Sequence, residues 1–208
     1  MSSQNFSEIE NKAHQLEVSM ARFVSRNNSL TLNQDISLTD LIDIEDLKEI
    51  MVPFYQATGL GVGVFDQNNR MLASAGWQKI CTHFHEKNPV SHRSCKESEK
   101  YFKKHFEPNK AISYKCNNGL WDVAYPIYID DEFYGSIYFG QFFYSDDVIE
   151  KEFFLSQAEK FNFDPEAYIN ELKEVPILEK SKVDSDVKLF LKIVEKMAKL
   201  GKLQADVI

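Results

Sequence analysis

Apolar residues near the start of the chain recur at spacings of three and four. The series is Phe6, Ile9, Ala13, Leu16, Met20 and Phe23, and no Gly or Pro interrupts it. This heptad pattern predicts a helix over about residues 5–27. Two interpretations stay open at this point: a helix that packs on its own domain, and a helix that dimerises.

The middle of the chain is rich in short runs of β-branched and aromatic residues. These runs predict five strands joined by polar turns, at residues 60–65, 70–75, 111–116, 120–129 and 133–143. Two short helices are expected between the second and third strands, at 78–88 and 91–106. Pro89 separates them, and Ser91 is the expected N-cap of the second.

Helical periodicity flanks the predicted sheet on both sides. Before it, Asp43 is expected to cap a helix that Pro53 kinks or restarts and Gly59 ends. After it, helices are expected over 147–161 with Ser145 or Asp146 as N-cap, from Pro165, and over about 178–200. The stripe of the last helix suits packing on a domain, on a partner helix, or on both. Its members are Val183, Val187, Leu189, Phe190, Ile193, Val194, Met197 and Leu200.

This order of elements predicts an α+β fold. We expect a five-stranded antiparallel sheet with flanking helices and long N- and C-terminal helices, as in PAS and GAF sensor modules. Three parts are expected along the chain: an N-terminal helix and candidate dimerisation element in residues 1–34, a sensory domain in 35–175, and a C-terminal signalling helix in 176–208.

Charge and composition exclude some classes of protein. The 24 basic and 32 acidic residues give a net charge of −8, and the basic residues are scattered, which argues against direct binding of nucleic acid. No apolar run approaches the roughly 20 residues that span a bilayer, and the N-terminus does not resemble a secretory signal. The sequence therefore predicts a cytoplasmic protein that binds neither nucleic acid nor membrane.

Sulfur and imidazole groups are concentrated in one segment. All three cysteines and four of the five histidines lie between Cys81 and Cys116. Cys81 and His85, like His92 and Cys95, are one helical turn apart, so each pair can face one metal ion. Neither CxxC nor HxxxH occurs. The cysteines therefore either line the core or a pocket, or form a metal or redox site from Cys81, His85, Cys95 and Cys116. The one cofactor that the sequence suggests is a metal ion at this cluster.

Two polar residues stand among apolar neighbours in the fourth and fifth strands. Asp122 lies in WDVAYP and Gln141 lies in YFGQF. Alternation places Asp122 on the opposite strand face from Tyr125. Both polar side chains either bind loop backbone or orient a small ligand in an apolar pocket. Pro126 is expected at a bulge or a sheet edge, because it cannot donate to a central ladder.

From Asp40 to about Gly201 the sequence resembles the PocR-type sensory domain. The matching segments are LIDIEDLKEIMVPFYQATGLGVGVFD, a lone Cys81, SCKES, YKCNNGLWDVAYPI, YGSIYFGQFF and NELKEVPILEKSKVD. Carried over by position, the family pattern falls on Cys81, Cys95, Cys116, Gly119, Asp122, Pro126, Gly135, Gly140 and Gln141. Asn117 is a departure, since the family often has His after the third cysteine.

The resemblance implies a PAS-related domain that binds a short alcohol, a diol or a similar hydrocarbon derivative. It implies a signal relayed through the terminal helices to a kinase or a DNA-binding domain, beyond residue 208 or in another chain. We expect a homodimer without enzymatic activity. The expected ligand-binding residues are Cys81, Cys95, Cys116, Gly119, Asp122, Tyr125, Gly140 and Gln141. The alternatives are the metal or redox sensor, a small enzyme acting on the same ligands, and a dimerisation scaffold.

Overall fold

The structure is a computed structural model that describes residues 36–205. Its α-helices are α1 (Leu38–Leu41), α2 (Ile44–Thr58), α3 (Pro89–Lys103), α4 (Lys151–Phe161), α5 (Pro165–Lys173) and α6 (Lys180–Ala205). Its strands are β1 (Val62–Asp66), β2 (Met71–Ala75), β3 (Ile112–Lys115), β4 (Trp121–Ile129), β5 (Glu132–Tyr144) and β6 (Ile177–Leu178). A π-helical segment covers Ile80–His85. The helix predicted over residues 5–27 lies outside the described residues.

The strands form an open antiparallel sheet in the order β2-β1-β5-β4-β3. β4 and β5 are joined by a tight turn at Asp130 and Asp131, which both have positive φ, a conformation that Asp tolerates better than most residues. The α+β class and the five antiparallel strands predicted from the sequence are confirmed. The short β6, which pairs in parallel with the end of β5, was not predicted.

The two faces of the sheet pack against different helices. One face packs against α2 and α6 in the largest hydrophobic cluster, where the Phe54 and Phe190 rings lie 4.8 Å apart, centroid to centroid. The other face packs against the π-helical segment and α3 to α5. The buried stripe of α6 therefore packs on the domain, one of the three alternatives left open by the sequence, whereas Leu189 and Leu200 of the predicted stripe are exposed. The buried members of α6 are Val183, Val187, Phe190, Leu191, Val194 and Ala198.

Three helix starts and interruptions differ from the sequence prediction. Asn88, and not Ser91, caps α3, because its side chain accepts from the Val90 and Ser91 amides while the Ser91 hydroxyl donates to the His85 carbonyl. α4 starts after Glu150, and not after Ser145 or Asp146, because the Ser145 backbone amide donates to the Leu178 carbonyl in β6. α2 does not restart at Pro53 but continues through it as one helix, and Asp43 caps it as expected.

Pro126 lies on a free stretch of β4. The pairing of β4 with β3 ends at Ala124, so at Pro126 the strand pairs with β5 on one side and has no neighbouring strand on the other. Proline, which has no backbone N–H to donate, is tolerated at such an edge. The expected edge position of Pro126 is confirmed. Among residues 36–205, no helix is both long and apolar enough to cross a bilayer.

Candidate ligand site

A cavity of about 130 Å³ lies between the sheet and the segment formed by the π helix and α3. The sheet side contributes Phe65, Met71, Tyr114, Cys116, Asp122, Tyr138 and Gln141. The helical side contributes Trp77, Cys81, His85, Glu86, His92, Cys95, Lys96, Ser98 and Glu99. An engineered apolar cavity of about 150 Å³ holds benzene, so this space suits a molecule of similar size.

Aromatic rings form part of the cavity wall. The Phe65 ring meets the Tyr138 ring edge to face at 5.3 Å between centroids, and the Trp77 ring at 6.5 Å. Such edge-to-face pairs are a favoured packing of rings, worth about 0.5–1.5 kcal/mol each beyond their burial. The rings therefore form a preformed apolar surface beside the polar groups described next.

The Asp122 side chain faces the cavity and is 8% exposed. Its carboxyl group has no hydrogen-bond partner among residues 36–205, and burial, with a smaller contribution from Glu99, raises its pKa to about 8. The group is therefore mostly protonated at neutral pH. It can donate a hydrogen bond from one oxygen and accept one at the other.

Gln141 reaches the cavity because the β4–β5 ladder contains a bulge. Trp121 pairs with Phe142 and Asp122 pairs with Gly140, which leaves Gln141 unpaired and shifts the alternation of β5 by one residue. Its Oε1 atom accepts a hydrogen bond of 3.0 Å from the Gln78 amide. This bond fixes the side chain and leaves its Nε2 group for a ligand.

Three residues that line the cavity each carry a further polar atom that is buried without a hydrogen-bond partner. The atoms are Trp77 Nε1, His92 Nδ1 and the Tyr138 hydroxyl. Burial and the nearby Glu99 raise the pKa of Tyr138, and Ser136 acts against them. The Ser136 hydroxyl is nevertheless not placed for a hydrogen bond with the Tyr138 hydroxyl. In the described part of the chain only one other buried side-chain atom, Gln157 Oε1, is unpartnered. Because an unpartnered buried polar atom costs about 1–3 kcal/mol, three at one cavity indicate a place for a polar molecule.

The three cysteines contribute thiol groups to the same cavity. Cys81 Sγ lies 3.7 Å from His85 Nδ1, and His85 Nε2 lies 2.8 Å from the Tyr168 hydroxyl. The Asn118 side chain donates to Cys95 Sγ at 3.0 Å. His83 and His105 lie on the exposed surface. The thiol groups of Cys81 and Cys95 are thus each in contact with a neighbouring polar side chain.

Burial keeps these groups uncharged. It raises the pKa of Cys95 to about 11 and that of Cys116 to about 12, raises that of Cys81 well above its usual value, and lowers that of His85 to about 4. The thiols are therefore protonated at neutral pH, whereas nucleophilic and metal-binding cysteines act as thiolates. Within residues 36–205, no group of three or more His, Cys, Asp and Glu side chains is arranged to hold a metal ion.

Five of the eight residues expected to bind a ligand line the cavity: Cys81, Cys95, Cys116, Asp122 and Gln141. Gly140 lies against the Asp122 carboxyl group, and its lack of a side chain leaves room for that group, because a Cβ atom there would overlap it. Gly119 has a φ of 93° in the turn after β3 and packs beside Phe153, outside the cavity.

Tyr125 lies on the opposite face of β4 and does not line this cavity. Its hydroxyl donates a hydrogen bond of 2.9 Å to Glu195 Oε1 on α6. The alternation of β4 already places Tyr125 and Asp122 on opposite faces, so the two could not both contact a ligand on one side of the sheet.

The expected ligand-binding residues did not include Trp77, His92 and Tyr138. The sequence had singled out His92 only as a metal-binding candidate paired with Cys95. The sequence does not mark Trp77 and Tyr138 as cavity residues, since an aromatic residue in or beside a strand is expected in the core whether or not its polar atom has a hydrogen-bond partner.

Comparisons with known proteins bear on the whole domain. The model of the family described as the sensory domain found in PocR matches residues 40–202. Among curated proteins, none matches the sequence. The chain is also similar to the crystal structure of a GAF domain/HD domain protein from Geobacter sulfurreducens, at 10% identity and a TM-score of 0.35, covering 82% of this chain and 97% of that one. Since the family match spans most of the 208 residues, the chain belongs to the family of PocR sensory domains.

Proposed function

We propose that the cavity binds a compact, uncharged organic molecule with hydroxyl groups, such as a short alcohol or diol. The observation that carries this proposal is the set of unpartnered polar groups in a cavity that is otherwise largely apolar. A sensory role for the domain follows from its family. The ligand class is our inference from the groups that would contact it.

The hydrogen-bonding capacity of the wall defines what the ligand must offer. Trp77 Nε1 only donates, so the ligand needs an acceptor oxygen. The protonated Asp122 and the Tyr138 hydroxyl can each donate or accept, and Gln141 Nε2 donates. Hydroxyl groups satisfy both kinds of partner, whereas a hydrocarbon satisfies neither.

The charges of the wall favour an uncharged ligand. A carboxylate ligand would lie beside the carboxyl groups of Glu86 and Glu99, against one ammonium group, that of Lys96. A buried charge without a close partner is strongly unfavourable. The volume of about 130 Å³ adds an upper limit on size close to that of a small ring or a short branched chain.

Transmission of binding to α6 is supported by the two faces of β4. Asp122 faces the cavity, and three residues later Tyr125 donates to Glu195 on α6. If β4 can take two positions relative to α6, a ligand that binds one of them more tightly would favour it and so change the packing of α6. We propose that a kinase or a transcription regulator reads this change, as the resemblance implies.

The cavity groups support a binding role better than the alternatives of a metal centre, a redox switch or an enzyme. Protonated thiols are poor nucleophiles, and a His85 imidazole with a pKa of about 4 is a weak base at neutral pH. Among the residues that the structure describes, no three His, Cys, Asp or Glu side chains are arranged to hold a metal ion. A protein of the sensory family needs only reversible binding.

The experiment is a thermal-shift panel of short diols, glycerol, simple alcohols, aldehydes and small acids. A ligand at a hundred times its Kd adds about 2.7 kcal/mol, which shifts the midpoint by roughly 5–10 °C for a chain of this size. The shift should be lost in Gln141→Leu and Trp77→Phe, and kept in Tyr125→Phe, whose hydroxyl lies on the other face of the sheet. A response restricted to the acids, or one that survives both cavity substitutions, would contradict the proposal.

A further inference from the structure

α6 carries a second apolar stripe that faces away from the core. Leu189, Leu200 and Leu203 are each about 60% exposed, at 59%, 60% and 62%. Ile193 is partly exposed and continues the series with spacings of four, seven and three. Single exposed leucines are ordinary, but four aliphatic residues aligned on one helix form a continuous surface. We call this set the outer stripe.

The chain enters the described domain beside the end of this stripe. α1 packs against α6, and a Cβ atom on Gly201 would overlap the Leu41 carbonyl. Residues 1–35 therefore connect to the domain next to the last turns of α6. The heptad series from Phe6 to Phe23 lies within this preceding segment.

The lengths agree. From Leu189 to Leu203 the outer stripe spans about 21 Å, at 1.5 Å per helical residue. The heptad series from Phe6 to Phe23 would span about 26 Å as a helix. Residues 24–35 can bridge up to roughly 40 Å when extended, which lets the series reach any part of the stripe.

The charges agree as well. Lys192 and Lys199 border the outer stripe seven residues apart, and Lys196 lies within it, where its aliphatic stem can cover apolar surface. Glu10 and Glu17, also seven residues apart, occupy the position that follows an apolar residue of the heptad series. In a two-helix pairing such border positions face one another.

A second copy of α6 fits this surface less well. Between Lys188 and Lys202, α6 carries five lysines and one glutamate, so two facing outer stripes would bring like charges together. A segment of the same chain also has the advantage of a high effective concentration. The observations therefore favour an occupant from this chain that carries acidic borders.

We propose that residues 6–23 dock as an amphipathic helix on the outer stripe of their own chain. The docked helix runs parallel to α6, because in that orientation the glutamates that follow apolar positions of one helix face the lysines that precede apolar positions of the other. Its apolar series covers Leu189, Ile193, Leu200 and Leu203, and Glu10 and Glu17 face the bordering lysines. This interface does not depend on the ligand proposed for the cavity.

Zero-length carbodiimide cross-linking of the full chain tests the contact directly. The protein is prepared as an equal mixture of ¹⁴N- and ¹⁵N-labelled chains, so that mass spectrometry separates links within a chain from links between chains. We expect Glu10 or Glu17 to link to Lys192 or Lys199 within one chain. Glu8, on the outer side of the predicted helix, is the control and should form no such link. If the linked peptides include products with one ¹⁴N and one ¹⁵N half at the proportion expected for random pairing, the links join two chains, which would assign the stripe to a second copy and overturn the proposal.

A double-mutant cycle supplies an independent readout. Leu16→Ala and Leu200→Ala should each lower the unfolding midpoint by about 2–4 °C, and the double variant should lose less than the sum, because both remove one contact. Val148→Ala, at a residue 74% exposed outside α6, is the matched control and should change little. If Leu200→Ala is as neutral as the control and no cross-link forms, another protein or nothing covers the stripe, and the proposal is wrong.

Discussion

Replacing Asp122 with Asn should change how the stability of the domain depends on pH. The carboxyl group is buried without a hydrogen bond, and its pKa of about 8 lies above the ordinary value of 3.8. The native state therefore holds this proton more tightly than the unfolded state does. Stability that is present below pH 4 is lost as the pH rises towards 8. Asn has nearly the same shape and does not ionise, so the variant lacks this loss.

The size of the effect follows from the pKa. Each pH unit between the two pKa values changes the free energy of unfolding by about 1.4 kcal/mol. From pH 5 to pH 8, the free energy of unfolding of Asp122→Asn minus that of the wild type should rise by about 4 kcal/mol. His85 acts in the opposite direction, because burial lowers its pKa to about 4, and stability is lost as pH falls from 6.5. Taking the difference between the two proteins removes the contribution of His85.

The assay is urea unfolding of both proteins at half-unit steps from pH 5 to pH 8, followed by fluorescence. Asp147→Asn is the control. Burial raises the pKa of Asp147, but hydrogen bonds from Lys115 and Trp121 outweigh it, so the pKa is lowered. That substitution should lower stability by a constant amount over this range, since the group stays ionised in both states. A difference for Asp122→Asn that is equally flat would refute the protonated, unpartnered carboxyl group.

Two further predictions test the cavity wall and the approach of two strands. Iodoacetamide at pH 7.5 should alkylate Cys95 about a hundredfold more slowly in the native protein than in urea, because burial raises the pKa of this thiol from 9.0 to about 11. Peptide mass spectrometry measures both rates, and equal rates would contradict a buried thiol. In urea unfolding, Gly61→Ala should destabilise the domain at least twice as much as Gly59→Ala, because a Cβ on Gly61 would overlap the Gly140 carbonyl. A Cβ on Gly59 meets open space, so that substitution costs only the strain of a positive φ, about 1–2 kcal/mol. Similar losses for the two variants would mean that β1 and β5 are farther apart.

The strands were predictable because two local signals agreed at each of them. For β4 and β5, runs of aromatic and β-branched residues meet at Asp130 and Asp131, and the two strands end where those turn residues begin. The N-cap of α3 was not predictable in the same way. Asn88 and Ser91 both suit an N-cap, and the contact of Ser91 with the His85 carbonyl decides between them.

The candidate site was predictable only in part for a similar reason. Asp122 and Gln141 were identifiable as polar residues in apolar strands, and the cysteines by their density. The bulge that turns Gln141 into the cavity depends on the pairing of β5 with β4. Gly140 within the strand is a general signal for a bulge, but it does not specify which face Gln141 takes. Trp77 and Tyr138 matter because their polar atoms lack partners, which depends on the complete packing of the site.

Gly140 and Asp122 share one small space, because a Cβ at residue 140 would overlap the carboxyl oxygen of residue 122. The two positions are therefore expected to change together during evolution. A side chain gained at the position of Gly140 would displace the Asp122 carboxyl group or be accompanied by its loss, and this is the one carboxyl group that the sheet presents to the cavity. Such a pair of substitutions would mark a change in ligand preference within the family, readable from an alignment before any ligand is known.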